Sequence, residues 1–510
     1  MIRRALFFAF VHFLLNVGLC AQETPGVQPL LRAGVAKSDI TTTADGARIN
    51  DPLYAKALVM DDGTTKLVII AMDVTAIGGI GEVGDGFLPA LRSRIESELG
   101  IPASHVLVNA SHNHPPVQML CSPEDQLART FDAVRRAHDT MREAKVGAAA
   151  GHEDRISMNR TLRLKNGRAW TIRHTNPCPP DAEVEGVGPI DPEIGVMRID
   201  RADGHPIAVL YNFACHPYLT VPRGGVTADF PGFASAVIEE TLGEGALALF
   251  IQGAGGDITD VHYKDVNRPR DAEPLGTMLG LSTLKAWRTI TPSPAKLQVI
   301  SEKLDLPRKN DFERKIAALQ EEQAALLRNL RGTSLNFETF LPLYIKYTHD
   351  PDTPSNYSYK YLQSAALGTD EFGEIDAQNR AHMDKYMRNI RSMEILASIE
   401  DDIATLRRHQ AINERSGETT ITTEILGVRI GEFVFISSPA EVLVQIGLNV
   451  KAASPFEHTY MAAYSNGYIH YGPPASEYEK GGYEVTECLL APEWQAVYEA
   501  KAAEVLERLR

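Results

Sequence analysis

Cysteine is scarce in this chain, with five residues in 510, at positions 20, 121, 178, 215 and 488. They form no Cys-x-x-Cys pair, and their wide spacing defines no disulfide framework, which a chain this long does not need. Excess positive charge is also lacking. Lys and Arg number 51 against 66 Asp and Glu, a net charge of −15, which argues against nucleic acid or an anionic membrane surface as the main partner, since both need a basic face. After the first twenty residues no apolar run is long enough to cross a membrane. Internal repeats and low-complexity tracts are missing as well.

What is present starts with an export pattern. Arg3 and Arg4 precede an apolar run over 5–19 broken only by His12 and Asn16, and Cys20-Ala21-Gln22 follows. The run is short for a bilayer span and Ala21 is a small residue at a cleavage position, so residues 1–21 read as a signal peptide of a periplasmic or secreted protein. Lipidation at Cys20 is disfavoured by bulky Leu19 in front of it. The remaining residues, 22–510, are enough for one large catalytic domain.

Short apolar runs bounded by turns, at 67–71, 106–108, 207–213 and 246–251, read as buried strands, and an α/β fold with a large mixed sheet follows. Between about 311 and 415 the pattern becomes helical. Phe312, Ile316, Leu319, Leu326, Leu327 and Leu330 share one stripe, and Tyr386, Ile390, Ile399, Ile403 and Leu406 another, which predicts a helical-hairpin insertion. The segment 344–361 between them, with Pro351 and Pro354, is expected to be irregular. The pair reads as packing against the core, with a substrate lid as the alternative. Strand pattern resumes over 421–430 and 433–436 as a hairpin through Gly431, Pro439-Ala440-Glu441 is expected to open a helix, and 459–463 is the last strand candidate.

The chemistry concentrates where strands end. Ser111-His112-Asn113-His114-Pro115-Pro116 leaves the run 106–108, and two imidazoles one residue apart on a rigid base can aim at one point, as catalytic metal sites require. Ala214-Cys215-His216-Pro217 leaves 207–213 in the same way, and Pro217 cannot continue a ladder, so His216 is expected at the same carboxyl edge. The loop Gln252-Gly253-Ala254-Gly255-Gly256-Asp257 lets backbone approach a ligand closely. Asp257 either orients a ligand histidine or caps the following segment, and Asp73 presents the same choice.

These segments resemble the neutral or alkaline, non-lysosomal ceramidases in their catalytic N-terminal domain. The resemblance runs in order through Ala33-Gly34-Val35-Ala36-Lys37-Ser38-Asp39-Ile40-Thr41, Leu53-Tyr54-Ala55-Lys56-Ala57, Ser111-His112-Asn113-His114, Asn159-Arg160, Asn212-Phe213-Ala214-Cys215-His216-Pro217, Pro439-Ala440-Glu441, Gly467-Tyr468-Ile469, and Glu477-Tyr478 through Tyr483-Glu484. It implies a single Zn2+ held by His112, His216, Glu441 and Tyr468, with His114 as the neighbouring general base and acid and with Tyr483 and Arg160 facing the substrate. Gly253 stands where the family has a serine proposed as nucleophile, which leaves direct attack by zinc-bound water; Gly253 and Asp257 are then substrate-side or supporting positions. The chain ends soon after Tyr483, so the family's C-terminal β-sandwich domain is not expected.

The resulting expectation is an exported zinc-dependent hydrolase of an amide, such as an N-acyl sphingosine-like lipid in sphingolipid metabolism, or of an ester. Two alternatives stand beside it. One is a (β/α)8 amidohydrolase, where both histidines of His-x-His bind metal; the other is a non-catalytic zinc-containing binding protein of the ceramidase fold. The partner expected in either enzyme is a small-molecule or lipid-like substrate.

Overall fold

The computed structural model describes residues 30–114, 118–172, 179–260, 270–355 and 358–510. The expected signal peptide, Pro115, Pro116 and Cys178 lie outside the described residues. Cys121, Cys215 and Cys488 are buried free thiols, and no helix among the described residues is long and apolar enough to cross a membrane.

Eight segments form the main sheet: β1 (Arg32–Asp39), β2 (Tyr54–Asp61), β3 (Lys66–Met72), β4 (Val106–Ala110), β5 (Arg142–His152), β6 (Glu193–Arg201), β7 (Pro206–Phe213) and β8 (Leu247–Gln252). Their order is β8-β7-β6-β5-β1-β2-β3-β4. The four strands expected from apolar runs are β3, β4, β7 and β8. Only β3–β4 and β7–β8 are parallel; the other neighbours are antiparallel. The (β/α)8 alternative is therefore overturned, because it needs eight parallel strands closed in a ring.

Alternation along each strand sends side chains to two cores. Val68, Ile70 and Met72 of β3 pack with helices α1 (Phe87–Leu99) and α2 (Pro123–Asp139), whereas Leu67, Ile69 and Ala71 pack with a second sheet. At the other end, Val209, Tyr211 and Phe213 of β7 pack with α3 (Asp229–Leu242) and α4 (Glu273–Trp287). The second sheet contains β9 (Leu297–Pro307), β10 (Thr420–Ile430), β11 (Phe433–Ser437) and, past the two-residue β12 (Glu441–Val442), β13 (His458–Ala462). β12 pairs in parallel with β14 (Tyr471–Gly472). The expected hairpin is β10–β11, turning through Gly431 at φ 61°.

The insertion differs from a simple hairpin. It comprises α5 (Phe312–Asn329), α6 (Phe337–His349), α7 (Tyr359–Ala366) and the 44-residue α8 (Gly373–Ser416), about 66 Å long at 1.5 Å per residue. Segment 344–361 is not wholly irregular: α6 runs on to His349, and α7 begins at Tyr359, so Pro351 and Pro354 only separate two helices. Phe312, Ile316, Ile399, Ile403 and Leu406 form the seam between α5 and α8, while Leu327 of the expected stripe is 54% exposed. Glu441 also departs from expectation. It sits on β12, whose extended backbone pairs with the segment at 471–472, so the helix α9 (Val444–Ala453) starts three residues later; the Glu441 N–H donates to the His470 carbonyl at 3.0 Å. The chain closes with α10 (Tyr483–Thr486) and α11 (Trp494–Arg508).

The main sheet curls until its outer strands β8 and β4 meet at their carboxyl ends. Segment 463–466 fills the seam: Ala463 N–H donates to the Gln252 carbonyl (3.1 Å) and Ala110 N–H to the Tyr464 carbonyl (3.1 Å). The fully buried Asn109 side chain accepts from Gln252 N (2.8 Å) and donates to the Ala463 carbonyl (2.5 Å) and Ser465 Oγ (3.0 Å). Replacing Asn109 with Ala leaves buried groups unpaired, and a stability loss of about 2–4 kcal/mol is expected in denaturant unfolding. A loss below about 0.5 kcal/mol would show that this amide does not hold the seam.

Candidate metal centre

Four strand ends converge on one point. His112 follows β4, His216 follows β7, Glu441 opens β12, and Tyr468 lies in the loop after β13. His112 is held in the left-handed region at φ 65°, where its N–H donates to the Val74 carbonyl at 2.9 Å. That conformation is costly for a residue with a side chain, and it turns the ring off the strand line.

The polar atoms approach closely. His112 Nε2 lies 3.2 Å from Glu441 Oε2, His216 Nε2 lies 3.1 Å from the same oxygen, and His114 Nε2 lies 2.9 Å from His112 Nε2. The Tyr468 hydroxyl donates to Glu441 Oε1. His112, His216 and Glu441 are buried, at 0%, 0% and 2% exposure. One nitrogen from each of His112, His114 and His216 falls within 4.8 Å of the others.

Tautomers follow from the second bond of each ring. His112 Nδ1 meets the Thr75 carbonyl at 2.7 Å, and His216 Nδ1 meets the carbonyls of Gly255 (2.5 Å) and Ile258 (3.1 Å). A carbonyl only accepts, so both Nδ1 atoms carry the proton, and a neutral ring then presents a lone pair at Nε2. Burial pushes His216 down to about 3, and the Arg160 charge adds to this. Burial, then His112 and His216, hold His114 well below its ordinary value. Glu441 would be raised by its burial, but His112 and His216 outweigh that and keep it well below the usual range, as a carboxylate. The Tyr468 phenol is pushed up by burial and by Glu441. With Nδ1–H engaged by carbonyls, both rings turn Nε2 onto the same carboxylate oxygen, and this converging N, N, O donor set is one that a cation completes. The separations of 3.1 and 3.2 Å between the His216 and His112 nitrogens and Glu441 Oε2 are close to the edge of about 3.3 Å that ~2.0–2.1 Å arms make around a tetrahedral ion such as zinc.

Arg160 is 2% exposed; its Nε donates to Glu484 Oε1 (2.8 Å), and Nη2 donates to the Gly256 carbonyl (2.7 Å) and the Tyr471 hydroxyl (3.0 Å). Its guanidinium lies about 6 Å from the rings of Tyr218, Tyr471 and Tyr483, and the Tyr218 ring stacks on His114 and His216. Arg160 is thus clamped among these rings. Tyr483 opens α10, its ring 5.5 Å from that of Tyr471.

Among the described residues the Asp257 carboxylate makes no hydrogen bond to a histidine. It accepts from Asn159 Nδ2 (2.7 Å) and from Val444 N (2.8 Å) at the start of α9, so it caps a helix distant in sequence, and burial raises its carboxyl to about 6. Asp73 likewise accepts from Tyr54 N (2.9 Å). The glycine loop lies against backbone: a Cβ at Gly253 would meet Ala214 at 3.1 Å, and one at Gly256 would meet the Glu441 carbonyl at 2.6 Å.

Three contributors were not singled out from sequence. Gln252 donates to the Ser111 and Cys215 carbonyls (3.0 and 2.8 Å), tying the two histidine loops together. Asn109 closes the seam between β4 and β8 beside them. Tyr464, at φ 54°, sets its ring 4.4 Å from that of His112, and its buried hydroxyl has no hydrogen-bond partner among the described residues. A polar residue inside an apolar strand, as at Asn109 and Gln252, was the available signal.

Among solved structures the chain is similar to a neutral ceramidase from Pseudomonas aeruginosa, with TM-score 0.57 and 18% identity over 94% of this chain and 74% of that one. A ceramidase complexed with C2 gives TM-score 0.57 and 18% identity over 94% and 75%. No protein-family model matches the sequence, and no curated protein does. At this identity the likeness establishes the fold, which is that of neutral ceramidase. Gly256→Ala is expected to force β12 away from the loop, lowering stability by about 1–3 kcal/mol in denaturant unfolding; an unchanged unfolding midpoint would show that the loop does not hold β12 in place.

Proposed function

We propose that this protein is an exported zinc-dependent hydrolase that cleaves the amide bond of a lipid-like N-acyl compound, with residues 22–510 acting as one hydrolase domain. The observation that carries the reading is the convergence of His112 Nε2 and His216 Nε2 on Glu441 Oε2, with the Nδ1 of both rings engaged by backbone carbonyls. His112, His216, Glu441 and Tyr468 would hold the ion; two neutral imidazoles, a carboxylate and a phenolic oxygen suit zinc. When bound, the ion supplies positive charge that polarises a carbonyl and lowers the pKa of water towards about 7.

The chain's own residues supply the rest. His114 Nε2 faces the same point from a ring that burial keeps neutral, so it can accept a proton from water and return it to the leaving amine. Arg160, kept charged by Glu484 and Tyr471 against its burial, places positive charge behind Tyr218, Tyr471 and Tyr483, where it favours negative charge developing on the attacked carbonyl. Gly253 offers no hydroxyl, so the attacking group is water rather than a side chain at that position. The leader-like pattern of residues 1–21 supports export.

The test measures zinc per chain and hydrolysis of N-acyl sphingosine, N-acyl amino acids and a simple ester by purified protein, before and after chelation and zinc re-addition. His216→Ala and Glu441→Gln are expected to lose both metal and activity. His114→Ala is expected to keep its zinc and lose rate by about 10²–10⁴-fold. Loss of zinc in His114→Ala would make it a ligand and defeat the assigned roles; a zinc-loaded wild type that hydrolyses none of the three classes would mark a binding protein instead.

A further inference from the structure

A second group of metal-ligating side chains lies where the helical insertion meets the core. His409, near the C-terminal end of α8, is 0% exposed. Its Nε2 lies 3.0 Å from Glu487 Oε2, and His470 Nδ1 lies 3.9 Å from the same oxygen. The two rings meet edge to face, centroids 4.7 Å apart. One ligand atom of each residue falls within 4.8 Å of the others.

The His409 ring is not satisfied by this arrangement. Nδ1 has no hydrogen-bond partner among the described residues, and Nε2 meets only the Glu487 carboxylate, as a 3.0 Å contact. Buried polar atoms are almost always paired, and an imidazole aimed at a carboxylate and a second imidazole is what a cation completes. Arg408 Nη2 contacts the other carboxylate oxygen, Oε1, at 3.2 Å, which leaves Oε2 to the two rings.

We propose that His409, His470 and Glu487 form a second, structural metal site that takes a divalent transition-metal ion such as Zn2+ and clamps the helical insertion onto the core. Two imidazoles and one carboxylate favour such an ion over Ca2+ or Mg2+, which want oxygen donors. The three ligands come from segments distant in sequence: α8, the loop after β13, and the residue following α10. His470 is two residues beyond Tyr468, their rings 5.2 Å apart, and α10 begins at Tyr483. Occupation therefore fixes the insertion, the Tyr468 loop and the Tyr483 helix in one arrangement. No ligand is shared with the first centre, and the site stands independently of the hydrolase reading.

The test uses the full chain, stripped with chelator, dialysed against zinc, and assayed for zinc per chain and for melting temperature with and without the ion. Wild type should hold two zinc ions; His409→Gln and His470→Gln should each hold one, with a smaller zinc-dependent rise in melting temperature. Glu441→Gln should also hold one, at the second site. If only one ion binds and His470→Gln removes it while Glu441→Gln does not, this site stands and the first reading fails. Should His409→Gln not fold, His470→Gln, whose side chain is 20% exposed, gives the same readout. Folded His409→Gln and His470→Gln that bind as much zinc as wild type overturn the proposal.

Discussion

Everything at the candidate centre depends on bringing together the two outer strands of the main sheet. β4 and β8 lie at opposite ends of the strand order, yet Gln252 of β8 donates to Asn109 of β4, and the rings of His112, after β4, and His216, after the neighbouring β7, lie 4.8 Å apart. The junction is made of buried amides. Asn109 links β4, β8 and segment 463–466, and Gln252 links the loops that carry His112 and His216. In a low-dielectric interior each of these bonds is strong and each lost partner is costly, so the seam has one stable register. The helices on one face and the second sheet on the other hold the curl; the amides fix where it closes.

With the seam closed, the centre is a problem in proton placement. Backbone carbonyls hold Nδ1–H on His112 and His216, so their Nε2 atoms cannot turn away from Glu441. Left-handed backbone at His112, Tyr464 and His470 shows how much local strain is accepted around this point. It persists because neighbouring hydrogen bonds over-determine each conformation. The glycines have the opposite role: Gly255 and Gly256 let the loop lie so close that its carbonyls reach His216 and Arg160.

Much of this was readable along the chain, and the failures have physical causes. Strands β3, β4, β7 and β8 appear as apolar runs because both of their faces are buried. The insertion was expected as two helices, since the prolines at 351 and 354 hid α6 and α7, whose apolar side chains are largely exposed, among them Phe337, Ile345 and Leu362. Glu441 was expected to open a helix, but pairing of β12 with β14 delays the first turn to Val444. Asp257 had two readings, and it proved to be a cap for a helix almost two hundred residues away.

The sequence by itself determined which residues could carry chemistry: His112, His114 and His216 stand at strand ends whatever the wider fold, because apolar runs and prolines set those ends locally. It also determined the mixed α/β class. Only the tertiary structure decided that those ends meet, since the order of strands and the curl of the sheet depend on contacts between segments hundreds of residues apart. It alone placed His409 of the insertion against His470 and Glu487, a meeting that no local spacing encodes, because helical periodicity says which face of α8 is apolar and nothing about what covers it.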